Sequence, residues 1–316
     1  MKKGCLYGIG TGPGNPGLLT FEAGEKITGA DILVFPNKEK EKCIAYKIAK
    51  KASPEIESKE LLFLDFPMTK DKETLEKAWN ENGEKIFSLI EEGKNAAFLT
   101  IGDPCVYSTF MYLKNYVKKK GADIEIVSGV TSFCAAAALL GITLADMEEE
   151  IHIIPAGYNV ERSFELSGTL IFMKGGEKIK ELKDFLVKKS GEYEFNFYAA
   201  SNVGLENQKV YKNISELEET AGYLTVVIIK DIKKKKSDGY KFFQNRACSY
   251  FPCHKGVPEE DFNCLFCYCP LYAKGEGCGG NFVIKENGVK SCVNCTFPHH
   301  RKNYEEVCAK LKSKAY

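Results

Sequence analysis

Short apolar runs alternate with longer amphipathic stretches through most of this chain. Residues 5–7, 32–35, 96–101 and 124–127 are apolar runs of strand length bounded by turn formers, and they predict buried strands. Between them, residues 21–29 read as a helix with Thr20 as N-cap and Glu22 in the first turn, where a negative charge suits the helix dipole. A longer helix is predicted over 69–92, with Leu75, Trp79, Ile86, Leu89 and Ile90 on one face and Gly93 as the cap, so Trp79 reads as core. Strand, helix and strand follow one another from 96 to 127, the pattern of a parallel sheet. Strands at 151–154, 169–173, 195–199 and 223–229 and a helix over 177–189 predict a second, mixed sheet closed by the buried run Val226 to Ile229. Lys233 to Lys236 with Ser237, Asp238 and Gly239 interrupt the pattern and read as a solvated linker. The chain is therefore expected to be α/β, with sheet domains over 1–120 and 121–232, a linker over 233–239 and a small cysteine-rich module over 240–316.

Three strand ends carry candidate chemistry. The first runs into Gly8-Ile9-Gly10-Thr11-Gly12-Pro13-Gly14-Asn15-Pro16-Gly17, where five glycines let the backbone approach a ligand and two prolines stiffen the turn. The match to a dinucleotide-binding fingerprint is incomplete, because Pro13 interrupts the loop and the next helix starts only after Thr20. Taken alone, the loop is equally a tight strand-to-helix turn. The second strand end presents Gly102-Asp103-Pro104 followed by Tyr107, Ser108 and Thr109, and the third presents Ser128-Gly129-Val130-Thr131-Ser132 before an alanine-rich helix. Three such ends point to one crevice, since ligands of open α/β sheets sit beyond the carboxyl ends of the strands.

With these three motifs the sequence resembles the tetrapyrrole (precorrin) methylases over about residues 1–230, and within that family it is most similar to the precorrin-2 or cobalt-factor II C20-methyltransferases. The resemblance implies two α/β sheet domains with a cleft between them, S-adenosylmethionine as methyl donor, a tetrapyrrole substrate (precorrin-2 or cobalt-factor II) and a homodimer. It places the cofactor against Gly102, Asp103, Val106, Thr131, Ser132, Met173, Lys174 and Asn202, and the substrate against Gly10, Pro13 and Gly14. Methyl transfer to an electron-rich meso carbon needs alignment and preorganised charge but no covalent nucleophile, and no catalytic residue is assigned. His152 lies in an apolar strand and reads as structural. Some relatives carry an acidic residue just after the second strand; Pro36 and Asn37 stand there in this chain.

Composition alters the picture mainly at the carboxyl end. The net charge is +1, yet 15 of the 44 basic and 9 of the 43 acidic side chains follow residue 230, as do nine of the 13 cysteines. No run approaches the roughly 18 apolar residues of a membrane span, and Met1-Lys2-Lys3 leads straight into a strand, so a cytoplasmic protein is expected. In that compartment a cysteine cluster signals metal before disulfide. Cys264-x-x-Cys267 and Cys292-x-x-Cys295 stand about 25 residues apart, a spacing that lets both pairs face one tetrahedral ion, with Cys253, His254, Cys269, Cys278 or His299 completing that site or building a second. Zinc is the leading expectation and an iron–sulfur cluster the alternative. The stretch 262–272 is similar to a small cysteine-rich domain found with cobalamin-pathway proteins. Phe251, Phe262, Phe266 and Tyr268 read as the core of this short module and not as stacking platforms for nucleic acid, and no nucleic-acid or membrane partner is expected. Two competing functions are a metal-handling or scaffolding protein that binds a tetrapyrrole without methylating it, and a nucleic-acid methylase with a zinc module.

Overall fold

The protein is described here by a computed structural model covering residues 3–67, 69, 71–156, 160–235 and 238–313. The chain forms two compact units, Met1–Lys234 and Lys235–Tyr316.

The first unit opens with β1 (Cys5–Gly10), α1 (Phe21–Gly29), β2 (Ile32–Phe35), α2 (Ile44–Ala52), β3 (Glu60–Phe63), α3 (Lys72–Glu91), β4 (Ala96–Thr100), α4 (Phe110–Lys119) and β5 (Asp123–Val127). The five strands make one parallel sheet in the order β3-β2-β4-β1-β5. Helices cover both faces, which is why the central strands β2 and β4 are buried at every position, whereas the edge strand β5 alternates Asp123, Ile124, Glu125, Ile126. Leu6, Val34 and Phe98 pack to one side with Ile86, Ile90 and Phe110, while Ile9, Leu33, Phe35 and Leu99 pack to the other with Ala23, Ile27 and Tyr46. Trp79 packs at the edge of the first cluster and stacks on Tyr112 at 4.1 Å, as its helical position predicts. Thr20 caps α1 by accepting from the Ala23 amide, and Gly93 takes the left-handed φ of 88° that ends α3.

The strand at Asp123–Val127 corrects the expected boundary near residue 120. It pairs in parallel with β1 and so belongs to the first sheet. After it, α5 (Ser132–Leu140) leads to the second sheet, built from β6 (Ile151–Pro155), β7 (Thr169–Met173), then α6 (Ile179–Glu192), β8 (Tyr193–Ser201), β9 (Lys209–Tyr211) and β10 (Thr225–Lys234). Its order is β6-β7-β10-β8-β9, parallel only between β6 and β7. The alanines of α5 let that helix lie close on one face, where Ala135 and Ala136 meet Ile171, Ala200, Val226 and Ile228. The opposite face, with Leu170, Phe172, Val227 and Ile229, is covered by Ile179, Leu182 and Leu186 of α6. Lys233 and Lys234, expected in the linker, still pair with Glu194 and Tyr193 of β8, so the basic run begins inside the strand. Lys236 and Ser237 lie outside the described residues. His152 is structural, as expected: its Nε2 lies 2.8 Å from the Ser167 carbonyl.

The second unit has little regular structure: β11 (Val283–Ile284) and β12 (Lys290–Ser291) form a two-stranded hairpin, and α7 (Tyr304–Lys312) is its one α-helix among the described residues. Phe262 is fully buried and packs edge-on against Phe251 at 5.4 Å, and Phe266 stacks on Tyr304 at 5.7 Å. Tyr268 departs from its expected core role, with its side chain 97% exposed. Buried Asn263 organises the entry to this unit: its side-chain oxygen accepts from the Phe243 and Leu265 amides, and its Nδ2 donates to the Lys241 carbonyl.

Candidate functional site

Strand order brings the three expected loops side by side, because β4, β1 and β5 are neighbours at the middle and one edge of the first sheet. The loops are then sewn together by backbone. Gly12 and Gly102 exchange hydrogen bonds in both directions, at 3.2 and 2.8 Å, and the Thr11 amide donates to the Thr100 carbonyl at 2.8 Å. Asp103, nearly buried, closes the arrangement: one carboxylate oxygen accepts from the Cys105 amide at 2.7 Å and the other from the Gly129 amide at 2.9 Å. Gly10 and Gly129 permit this approach, since a Cβ on Gly129 would stand 2.1 Å from the Gly102 oxygen and one on Gly10 2.5 Å from the same atom.

Beyond these loops lies a cavity of about 490 Å³. Of the residues expected at the site, Pro13, Gly102, Asp103, Val106, Thr131, Ser132, Met173 and Lys174 line it. Gly10, Gly14 and Asn202 do not. Gly10 is consumed in the loop crossing, Gly14 lies against the backbone of Val203 and Gly204, and Asn202 turns its Nδ2 toward the Asn207 carbonyl from a left-handed backbone of φ 53°. The lining adds groups the sequence motifs did not mark. Lys38, Glu39, Asp65 and Phe66 enter from beyond β2 and β3, and Tyr223 to Val226 enter from the start of β10. Lys38 pairs with Asp65 at 3.3 Å. The carboxylates at this end thus come from Glu39 and from Asp65 beyond the third strand, not from the residue after the second.

Two features of the lining are unusual. The Thr131 hydroxyl is buried without a hydrogen-bond partner at the N-cap of α5, where its side chain makes no cap bond, so a donor and acceptor stands ready beside the open first turn of a helix. Tyr107 and Lys174, from the two different sheets, both hold left-handed backbone, at φ 51° and 57°. The Lys174 ammonium donates to the Tyr107 carbonyl at 2.6 Å and lies over the Tyr107 and Tyr223 rings at 5.5 and 5.2 Å. A polar helix start, a carboxylate clasp and an aromatic wall suit a ligand with a charged amino-acid-like end and a flat ring system. Asp103→Ala is expected to lower the melting temperature of the first unit and to weaken binding of S-adenosylhomocysteine by about 1–3 kcal/mol, the usual cost of losing a charged hydrogen-bond partner. Calorimetric titration measures it, and unchanged affinity removes Asp103 from the site.

In the second unit the ligand atoms of Cys253, His254 and His299 all lie within 4.8 Å of one another. The two imidazoles stack at 4.5 Å, and Phe262 backs His299 at 4.9 Å. His299 Nδ1 lies 3.0 Å from the Asn263 carbonyl, an outer partner that orients the ring and leaves Nε2 for an ion, while His254 Nδ1 is buried with no partner. Burial pushes the His299 pKa down, keeping the ring neutral and able to ligate. It pushes the Cys253 thiol up, with the neighbouring Cys267, Cys264 and Cys248 adding to Cys253 in the same direction. Cys292 is likewise raised by burial, and beside it the Cys295, Cys269 and Cys278 thiols act in the same direction. The close group among the described residues joins Cys253, His254 and His299, three of the residues expected to complete a site, and does not include Cys264, Cys267, Cys292 or Cys295.

Comparison with known proteins follows the same division. A family model described as tetrapyrrole (corrin/porphyrin) methylases matches residues 5–218, well over half of the chain. The chain belongs to the tetrapyrrole methylase family. A second model, described as a cysteine-rich small domain, matches residues 239–315. Among curated relatives, a protein of Methanocaldococcus jannaschii named "Probable cobalt-precorrin-2 C(20)-methyltransferase" is 36% identical over 238 residues, 74% of this chain and 98% of the relative. The cobalt-precorrin-2 C(20)-methyltransferase of Salmonella typhimurium is 30% identical over 192 residues, 59% of this chain and 79% of the relative. Among solved structures, a cobalt precorrin-4 methyltransferase superposes with a TM-score of 0.57 at 19% identity, covering 72% of this chain and 94% of the other. The Thermus thermophilus uroporphyrin-III C-methyltransferase complexed with S-adenosylhomocysteine gives 0.53 at 17% identity, with 72% and 92% covered. These structures share the methylase fold of two α/β sheets.

Proposed function

We propose that this chain methylates C20 of a precorrin-2-type tetrapyrrole, cobalt-factor II or precorrin-2 itself, with S-adenosylmethionine as donor, in the assembly of the corrin ring. The observation that carries the reading is the clasp of three loops around one cavity, in a chain whose curated relatives are named for this reaction. The cavity fits the donor in its chemistry, with the orphaned Thr131 hydroxyl, the open start of α5 and the apolar sides of Val106 and Met173. When bound, S-adenosylmethionine supplies an activated methyl group. Gly102, Asp103, Val106, Thr131, Ser132, Met173 and Lys174 hold the donor's pole of the cavity in this reading. Pro13 and Lys38 face the macrocycle, whose carboxylates call for a cationic partner, and Asp65 holds the Lys38 ammonium at that end. Gly10, Gly14 and Asn202 act through the shape of the backbone. The work of these side chains is to align carbon with carbon, exclude water and set fixed charge around the transfer, and none is asked to form a covalent bond.

Zinc in the cysteine-rich unit, a homodimer and a cytoplasmic location complete the reading. The first is supported by the Cys253, His254 and His299 group and the location by membership of the family, while the homodimer rests on the resemblance drawn from the sequence motifs. No described helix is long and apolar enough to cross a membrane. Parallel assays with precorrin-2 and cobalt-factor II, scored by the gain of one methyl group in the mass spectrum, test the function. Transfer to the cobalt form is the expected result, and transfer to neither sinks the reading.

A further inference from the structure

The ligand-type side chains of the second unit divide between two apolar clusters. One is the ring stack of Phe251, Phe262, His299 and His254, with Cys253 at its edge. The other is built from Leu271, Cys278 and Val307, with Phe266, Cys269, Phe282 and Phe297 packed against them. In the second cluster the chain makes a knuckle. Gly279 takes a left-handed φ of 71°, and the Gly280 amide donates to the Cys278 sulfur at 3.4 Å. A Cβ on Gly280 would stand 2.7 Å from the Cys295 sulfur and 3.7 Å from that of Cys278, so two thiols converge where only glycine fits. A turn closed by the Cys295 amide on the Cys292 carbonyl, at 2.9 Å, joins Cys292 to Cys295, and the Cys292 thiol has the Cys295, Cys269 and Cys278 thiols as electrostatic neighbours. Backbone donors aimed at sulfur are the usual outer shell of a metal-bound thiolate. The corresponding turn of Cys264 and Cys267, closed at 3.1 Å, starts directly after Asn263, whose carbonyl meets His299 in the first cluster.

We propose that the cysteine-rich unit holds two separate ions, one on Cys253, His254, His299 and a thiolate of the Cys264–Cys267 turn, the other on Cys269, Cys278, Cys292 and Cys295. The proposal rests on the metal reading given above and divides it. Mixed nitrogen and sulfur donors suit zinc, and four thiolates suit zinc or iron.

The test is metal analysis of the full chain, followed by reconstitution with cobalt(II), whose ligand-field spectrum separates mixed from all-sulfur sites. Two ions per chain are expected, with two component spectra. His254→Ala should lose one ion and keep the all-sulfur spectrum, whereas Cys278→Ser should lose one ion and keep the mixed spectrum. One ion in the unaltered chain overturns the division while leaving the metal reading intact, and no ion overturns the metal reading itself. If a variant fails to fold, the stoichiometry and the two spectra of the unaltered chain still decide the question, and a single spectral species there counts against the proposal.

Discussion

Gly129→Ala is expected to destabilise the first unit by about 1–3 kcal/mol and to abolish binding of S-adenosylhomocysteine. The added methyl would lie 2.1 Å from the Gly102 carbonyl oxygen and close to the Gly10 backbone, and all of these neighbours are main chain. No side chain can swing away, so the loop after β5 must retreat from the loops after β1 and β4. Overpacking of this kind costs about 1–3 kcal/mol even in cores that can adjust. The retreat also pulls the Gly129 amide off the Asp103 carboxylate and tilts the start of α5, where Thr131 and Ser132 enter the cavity. Thermal unfolding and calorimetric titration measure the two effects. Native stability with native affinity in this variant would show that the close crossing is not needed.

The second large effect is expected from chelation. Stripping metal from the full chain should make the segment after residue 235 sensitive to protease while the first unit stays intact and still binds S-adenosylhomocysteine. Among its described residues the second unit has one two-stranded hairpin, one nine-residue α-helix and a handful of buried apolar side chains, too little core to fold alone. Structural zinc contributes about 10–16 kcal/mol in peptides of this kind, as much as the whole stability of an ordinary domain. Acid should mimic the chelator. Burial holds the His299 pKa below its ordinary 6.5, so its contribution to stability is full above that value and is lost as pH falls toward the lowered one. Proton competition with the metal for ligand thiolates acts in the same direction. Limited proteolysis with mass mapping reads the result, and a module that resists protease after complete chelation would end the metal assignment.

The first unit was largely legible from sequence because its signals are local. Strands buried on both faces leave uninterrupted apolar runs, Thr20 and Gly93 mark helix ends by their own chemistry, and the three loops carry residue types that few other turns need. What escaped depends on distant pairing. Asp123–Val127 looks like the start of a new domain until β1 is seen beside it, and Asp65, Phe66 and Tyr223 reach the cavity only because their elements end at its rim. Asn263 could not be found from spacing either, since its role is to satisfy buried amides near Phe243 and Leu265. In the cysteine-rich unit, residues of ligand type were visible but the close grouping of Cys253, His254 and His299 was not, because contacts across rings leave no periodic trace.

The paired left-handed residues of the cavity wall bear on how this enzyme can be improved. Tyr107 and Lys174 each sit in backbone that costs a side-chain-bearing residue about 1–3 kcal/mol, and each is braced by the other. Glycine at either position relieves that cost at once. A screen for heat resistance alone would therefore favour losing the Lys174 ammonium and the Tyr107 ring, the groups that close the wall, and would select thermostable proteins with an open and idle cavity.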